Sequence, residues 1–147
     1  MPNHWATGGE SIWALPLGDD LYEIRNAPFY AYGLNWGDIV RAYSDDPELK
    51  PEVREVVKRS GNKTLRIYFN EGLSEEAQES ILASMQTLDI SWERADKRYV
   101  AIDVHPKADY DVVCHSLAEL QSQGILEYET CEVRKPGSFD SLPSNDA

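Results

Sequence analysis

Asp103 and His105 stand two residues apart in the run Tyr-Val-Ala-Ile-Asp-Val-His that begins at Tyr99. On a strand that spacing sends both side chains to one face. A carboxylate beside an imidazole is the pairing that orients a general base, and a hydrolase would need a hydroxyl next to it. Ser60 and Thr64 are the hydroxyls that a sheet of this chain brings nearest. The same pair also occurs as the polar end of an ordinary strand, and Pro106 stops the strand directly after His105, leaving solvent as the second partner of the ring. A small hydrolase is therefore the least favoured function. The expectation is no catalytic residue, with Asp103 and His105 kept as binding residues.

Other constellations carry less chemistry. The segment Ser60-Gly61-Asn62-Lys63-Thr64 lacks the spacing of a phosphate loop and precedes a strand instead of a helix, so it reads as a tight turn in which Gly61 or Asn62 accepts a positive φ. His4, His105, His115, Cys114 and Cys131 form no CxxC, HxxxH or HExxH spacing, and Cys114 and His115 would project about 100° apart on a helix. No metal site and no cofactor are expected. Asp38 and the Asp45-Asp46 pair lack the spacing of a calcium loop, and turn chemistry accounts for them. Aromatic residues are dense early in the chain, at Trp13, Phe29, Tyr30, Tyr32, Trp36 and Tyr43. They serve either as the core of a small sheet or, with Tyr99, as a pocket lined by Trp13, Phe29, Tyr32, Trp36 and Tyr99.

The elements that must position these residues follow from periodicity and turn signals. Residues 11–17 and 21–25 flank Gly18-Asp19-Asp20 as a hairpin. Residues 38–43 form a third strand. Residues 52–60 form a fourth, although Val53, Val56 and Val57 also fit helical spacing. From Leu65 the order is strand, helix, strand, strand, helix, strand. Ser74 caps a helix with an apolar row Ala77, Ile81, Met85 and Leu88, and Asp109 caps another with Val113, Leu117 and Leu120 that ends at Gly124. The expected fold is α+β, a four-stranded antiparallel β subdomain curled as a partial barrel (10–60) packed on a ferredoxin-like βαββαβ unit (61–134). Residues 1–9 are expected to be a flexible N-terminus and 135–147 a disordered tail rich in Pro, Ser and Asp. By the period of two, Tyr99, Ala101, Asp103 and His105 share the face opposite the helices. That face is either open for binding or covered by the N-terminal strands.

Separated segments resemble one bacterial family in the same order: Glu10-Ser11-Ile12-Trp13-Ala14, the stretch Asn-Ala-Pro-Phe-Tyr-Ala-Tyr-Gly from Asn26, Gly37-Asp38-Ile39-Val40 with Tyr43, VKRSGNKT from Val57, and residues 99–104 followed by Pro106. They resemble the family of domain of unknown function 4265, over residues 10–133. The resemblance implies the architecture and a bacterial origin, and it brings no reaction, cofactor or catalytic residue.

Composition narrows the class of partner. The 147 residues carry 14 Lys and Arg against 26 Asp and Glu, a formal charge of -12. Residues 1–60 hold six basic and ten acidic side chains, and residues 61–147 hold eight and sixteen. The sign opposes a grip on nucleic acid and favours a basic protein. No stretch has the length or apolar character of a membrane span or a signal peptide, so no membrane partner is expected. Two cysteines are too few for a disulfide scaffold. Together these point to a cytoplasmic, non-enzymatic protein-binding module, of which an immunity or antitoxin-type inhibitor of a basic protein is one form. The alternative is a ligand-sensing domain whose aromatic pocket lies at the subdomain junction.

Overall fold

The computed structural model describes residues 11–131. The ends expected to be flexible or disordered, 1–9 and 135–147, lie outside them. The first sheet is an antiparallel meander of β1 (Ala14–Gly18), β2 (Leu21–Ile24), β3 (Ile39–Tyr43) and β4 (Glu52–Lys58), in that order, with β1 and β4 at its edges. At the first turn Gly18, Asp19 and Asp20 all have positive φ. A two-residue hairpin loop demands that backbone at its central positions, and Asp is among the few residues that tolerate it. In β4, Val53 pairs with Ala42 and Val56 with Val40, because the register shifts between Arg41 and Ala42. The extra residue of that bulge turns two valines three apart to the same face, which is why a strand carries helix-like spacing.

The second sheet contains β5 (Lys63–Phe69), β6 (Ile90–Arg94), β7 (Tyr99–Val104) and β8 (Leu126–Thr130) in the order β6-β7-β5-β8, with α1 (Glu75–Met85) after β5 and α2 (Tyr110–Ser122) after β7. This is the ferredoxin-like βαββαβ arrangement. Leu65, Ile67 and Phe69 of β5 and Val100, Ile102 and Val104 of β7 form one buried cluster with Leu82 and Met85 of α1 and Val113 and Leu117 of α2. Both helices therefore cover the same face. Ser74 and Asp109 cap them, accepting from the Ala77 and Val112 amides at 3.1 and 3.2 Å. Of the expected apolar row, Met85 is buried in this cluster and Ile81 and Leu88 pack against it, and the inward face also takes in Gln78 and Leu82. Gln78, Leu82 and Met85 are buried while Ala77 and Ile81 are only partly so, and Gln86–Leu88 is a separate 3-10 turn. A buried Gln defeats an apolar-pattern reading. Its amide is satisfied here by Arg94, whose Nη1 donates to Oε1 at 2.8 Å, and by donation to the Leu73 carbonyl at 3.3 Å.

The opposite face of the second sheet is covered, by the segment between β2 and β3 and not by the N-terminal strands themselves. Residues 26–37 run between the two sheets. Ala31 and Leu34 pack toward the first sheet against Ile24, Val40 and Val56, while the Pro28, Phe29 and Ala31 carbonyls turn to the second. The two apolar clusters thus stay separate, with a polar and aromatic layer joining them.

Candidate functional site

At the centre of that layer is Arg66, which projects from β5 on the face opposite the helices and is 1% exposed. Nε donates to Glu129 Oε2 at 3.1 Å, Nη1 donates to the carbonyls of Ala31 and Pro28 at 2.9 and 3.3 Å, and the guanidinium lies 4.6 Å from the Tyr32 ring. Tyr32 itself donates to Glu129 Oε1 at 2.7 Å. Beside it Tyr99 donates its hydroxyl to the Phe29 carbonyl and its ring meets Phe29, Tyr30 and Tyr68 at 6.3, 5.7 and 5.8 Å. Burial pushes the Tyr99 phenol well above its ordinary range, so it stays a donor. Of the expected pocket residues, Phe29, Tyr32 and Tyr99 come together here, fastening residues 26–37 to the sheet. Arg66 escaped the sequence reading because it alternates with Leu65 and Ile67 as a solvent-facing residue would, and only the covering segment makes it interior.

Asp38 performs the same task at the other end of the segment. Fully buried, it accepts from the Ser60 and Asn35 amides at 2.8 and 3.0 Å, from Ser60 Oγ at 3.1 Å and from Arg59 at 3.3 Å. Burial raises its carboxyl against those bonds. Arg59 also donates to the Gly33 carbonyl.

Asp103 and His105 do share a region, a shallow recess of about 590 Å³ lined also by Trp36, Asn62, Ser91, Pro106 and Lys107. The hydroxyl there is Ser91, not Ser60 or Thr64. Ser91 lies opposite Asp103 on neighbouring β6. The Ser60 hydroxyl is instead shared between the Trp36 carbonyl at 2.6 Å and Asp38 at 3.1 Å, and Thr64 donates to Asn35 Oδ1 at 2.9 Å. Ser91 Oγ and Asp103 Oδ2 approach the same ring nitrogen, Nε2 of His105, at 3.3 and 3.4 Å. A relay requires the hydroxyl on one nitrogen and the carboxylate on the other. Both oxygens of Asp103 also accept from Asn62 Nδ2, at 2.9 and 3.1 Å, which ties the β4–β5 turn to β7. Burial raises the Asp103 carboxyl, and Asn62, His105 and Ser91 oppose that rise. The arrangement can hold a polar group at the mouth of the recess, and it lacks the geometry of a Ser-His-Asp triad.

Trp13 lies elsewhere. It is 79% exposed, at the rim of an apolar groove of about 350 Å³ on the first sheet, where Ile24, Val40 and Ala42 form a buried floor and Ile12, Tyr22, Lys50, Pro51 and Val53 stand around it. The structure therefore distributes the five expected pocket aromatics over three places. The groove is the part of the inner face that Ala31 and Leu34 leave uncovered. Residue type marked Trp13 as a pocket residue but grouped it with Phe29, Tyr32, Trp36 and Tyr99, because nothing local tells which face of which sheet it rims.

Among the described residues no group of three or more His, Cys, Asp or Glu is placed to hold a metal ion, and no helix is long and apolar enough to cross a membrane. The fold and these sites define an α+β protein in which a β-meander is clamped by its own connecting segment onto a ferredoxin-like unit. The match to the model of the domain of unknown function family DUF4265 extends over residues 10–128, and the chain belongs to that family. It is also similar to a crystal structure described as a hypothetical protein from Neisseria gonorrhoeae, at 20% identity and a TM-score of 0.70, over 82% of this chain and 80% of that one. That likeness concerns the fold. None of the curated proteins matches the sequence.

Proposed function

We propose that this protein is a non-enzymatic binding module whose partner is a basic protein. One observation carries the reading: α1 and α2 contain no Lys or Arg, and the one cation in the turns that precede them, Lys107, is paired with Asp89 at 3.4 Å. Glu71, Glu75, Glu76, Asp109, Asp111 and Glu119 stand on that layer, all exposed. Within it Glu79 is paired with Arg94 of β6 and Asp89 with Lys107, so the surplus belongs to the others. Part of it serves the helices, since acidic residues in a first turn favour the helix dipole. The remainder sets up a negative field that accelerates encounter with a cationic surface. An immunity or antitoxin-type inhibitor is the form such a module takes when the basic partner is a toxin. Cys114 and Cys131, as thiols and not a disulfide, suit a reducing cytoplasm.

The test is capture from the source cell followed by reconstitution with the purified partner. A basic protein bound at defined stoichiometry is expected, with an association rate that falls as salt rises and falls again when Glu75, Glu76 and Asp111 are changed to Lys. Recovery of only acidic partners would sink the reading. His105→Ala is expected to leave that complex and the cellular function unchanged. Loss of function in a folded His105→Ala protein, reproduced by Asp103→Asn, would instead favour the small-hydrolase reading.

A further inference from the structure

The groove on the first sheet lies next to an acidic end of the molecule. The β1–β2 turn and the β3–β4 loop are adjacent: the Ala42 amide donates to the Asp20 carbonyl at 2.8 Å, and Tyr43 pairs with Glu52 where that loop closes. Asp19, Asp20, Asp45, Asp46 and Glu48 are all exposed at this end. The cations near them are Lys50, which lines the groove, Arg54, which sits over the Tyr43 ring at 4.5 Å and 3.9 Å from Asp45, and Arg41, which donates to the Asp19 carbonyl at 3.5 Å and pairs with Glu55 at 3.1 Å. Negative charge is in excess. The groove itself, at about 350 Å³, falls at the small end of ligand cavities, which run roughly 300–1,000 Å³. It suits one large side chain. An exposed indole beside a buried aliphatic floor, rimmed by charge, has the make-up of an interface anchor site.

We propose that this groove receives one apolar side chain, aromatic or aliphatic, from a basic segment of the partner, with the flanking Lys or Arg residues engaging Asp19, Asp20, Asp45 and Asp46. The proposal rests on the basic-partner reading and gives it a docking point. The two are separable by kinetics, because distant charges act mainly on the association rate whereas a filled anchor pocket acts on dissociation.

The experiment uses fluorescein-labelled peptides and the full chain, read by anisotropy. The probes are Lys-Lys-Trp-Lys-Lys, Lys-Lys-Ser-Lys-Lys and Glu-Glu-Trp-Glu-Glu. The first is expected to bind about tenfold tighter than either of the others, the scale of one well-seated anchor. Ala42→Phe, which fills the floor, removes that preference. Because Ala42 is buried, Trp13→Ala on the exposed rim repeats the test without disturbing the core, and Asp45→Asn with Asp46→Asn weakens both lysine peptides alike. Equal binding of the Trp and Ser peptides, unaffected by Trp13→Ala, overturns the groove inference while leaving the basic-partner reading standing. Equal binding of the acidic peptide also overturns it. So does a Trp5→Ala chain that binds about tenfold tighter, since the groove would then hold the chain's own N-terminal residues. A dimer in sedimentation that Trp13→Ala dissolves would assign the groove to a second copy and overturn it equally.

Discussion

Arg66 is the residue on which the joint between the two sheets turns. Its charge is interior, yet Glu129 is half exposed, with a side chain 45% accessible. If Arg66 is removed the carboxylate can return to water, whereas the Pro28 and Ala31 carbonyls lose their buried donor. The penalty falls on the carbonyls and on the ring of Tyr32. Arg66→Met, which keeps the apolar stem, is expected to cost about 3 kcal/mol in urea unfolding, at the low end for breaking a buried charged pair. A loss below about 1 kcal/mol would mean that the bonds are exchanged for water at little cost. Asp103 gives a different signature. Its raised carboxyl makes the native state hold more protons than the unfolded chain from about pH 4, the ordinary carboxylate value, up to its native value. That contribution is fully present below the window and is lost as pH rises through it. Asp103→Asn abolishes the titration, so the stability difference between variant and wild type moves in the variant's favour as pH is stepped from about 4 to 7. A difference that does not change with pH contradicts the assignment. Glu93, raised by burial and accepting from the Ala27 amide at 3.3 Å, titrates in the same sense beneath the covering segment.

Among the elements, the segment 26–37 decides the most and showed the least in the sequence. Its ends are fixed by close approach. Gly37 has a φ of +85°, and a Cβ built there would lie 2.9 Å from Ser60 Cβ, at the turn that Asp38 also holds. Gly37→Ala is expected to cost about 2 kcal/mol, the left-handed backbone and the contact both opposing it. Gly18→Ala is its control, with φ +93° and nothing within 4 Å. It should cost about 1 kcal/mol, the backbone part alone. Equal costs at the two sites would show that Ser60 yields freely. The hairpin at Gly18, the capping residues Ser74 and Asp109 and the αL position of Gly124 were legible from residue type, because each meets a local backbone requirement. The place of Gln78 in the inward row of α1 was not, because it is buried only where Arg94 of another element reaches it.

At the scale of the whole molecule, two separate apolar clusters are held as one body by polar contacts across residues 26–37 and by the turn 60–62. Ser60 is bonded to Asp38 and Trp36, and Asn62 to Asp103. The connection at Gly61, although glycine-bearing and at the surface, is tied on both sides. Limited proteolysis under native conditions should leave it intact, and thermal unfolding should give a single transition followed alike by far-ultraviolet and aromatic circular dichroism. Ready cleavage near Gly61 into two stable fragments would show that the clusters fold as independent units. The charge of -12 belongs to this scale too. It bears on partners and encounter rates and leaves the choice of fold to patterning and packing.

Local chemistry in the sequence determined the order of elements, their caps and turns, the core face of the second sheet and the acidic character of the surface, because each depends on residues a few positions apart. The covering of the open sheet face, the burial of Arg66, the meeting of Ser91 with His105 and the groove beside Trp13 were decided only by tertiary structure. Arg66 and the Ala31 carbonyl lie 35 residues apart, Ser91 and His105 fourteen. Alternation along a strand assigns a side chain to a face without saying what the rest of the chain lays on that face. That placement depends on which carbonyls, rings and carboxylates the long-range fold brings to it.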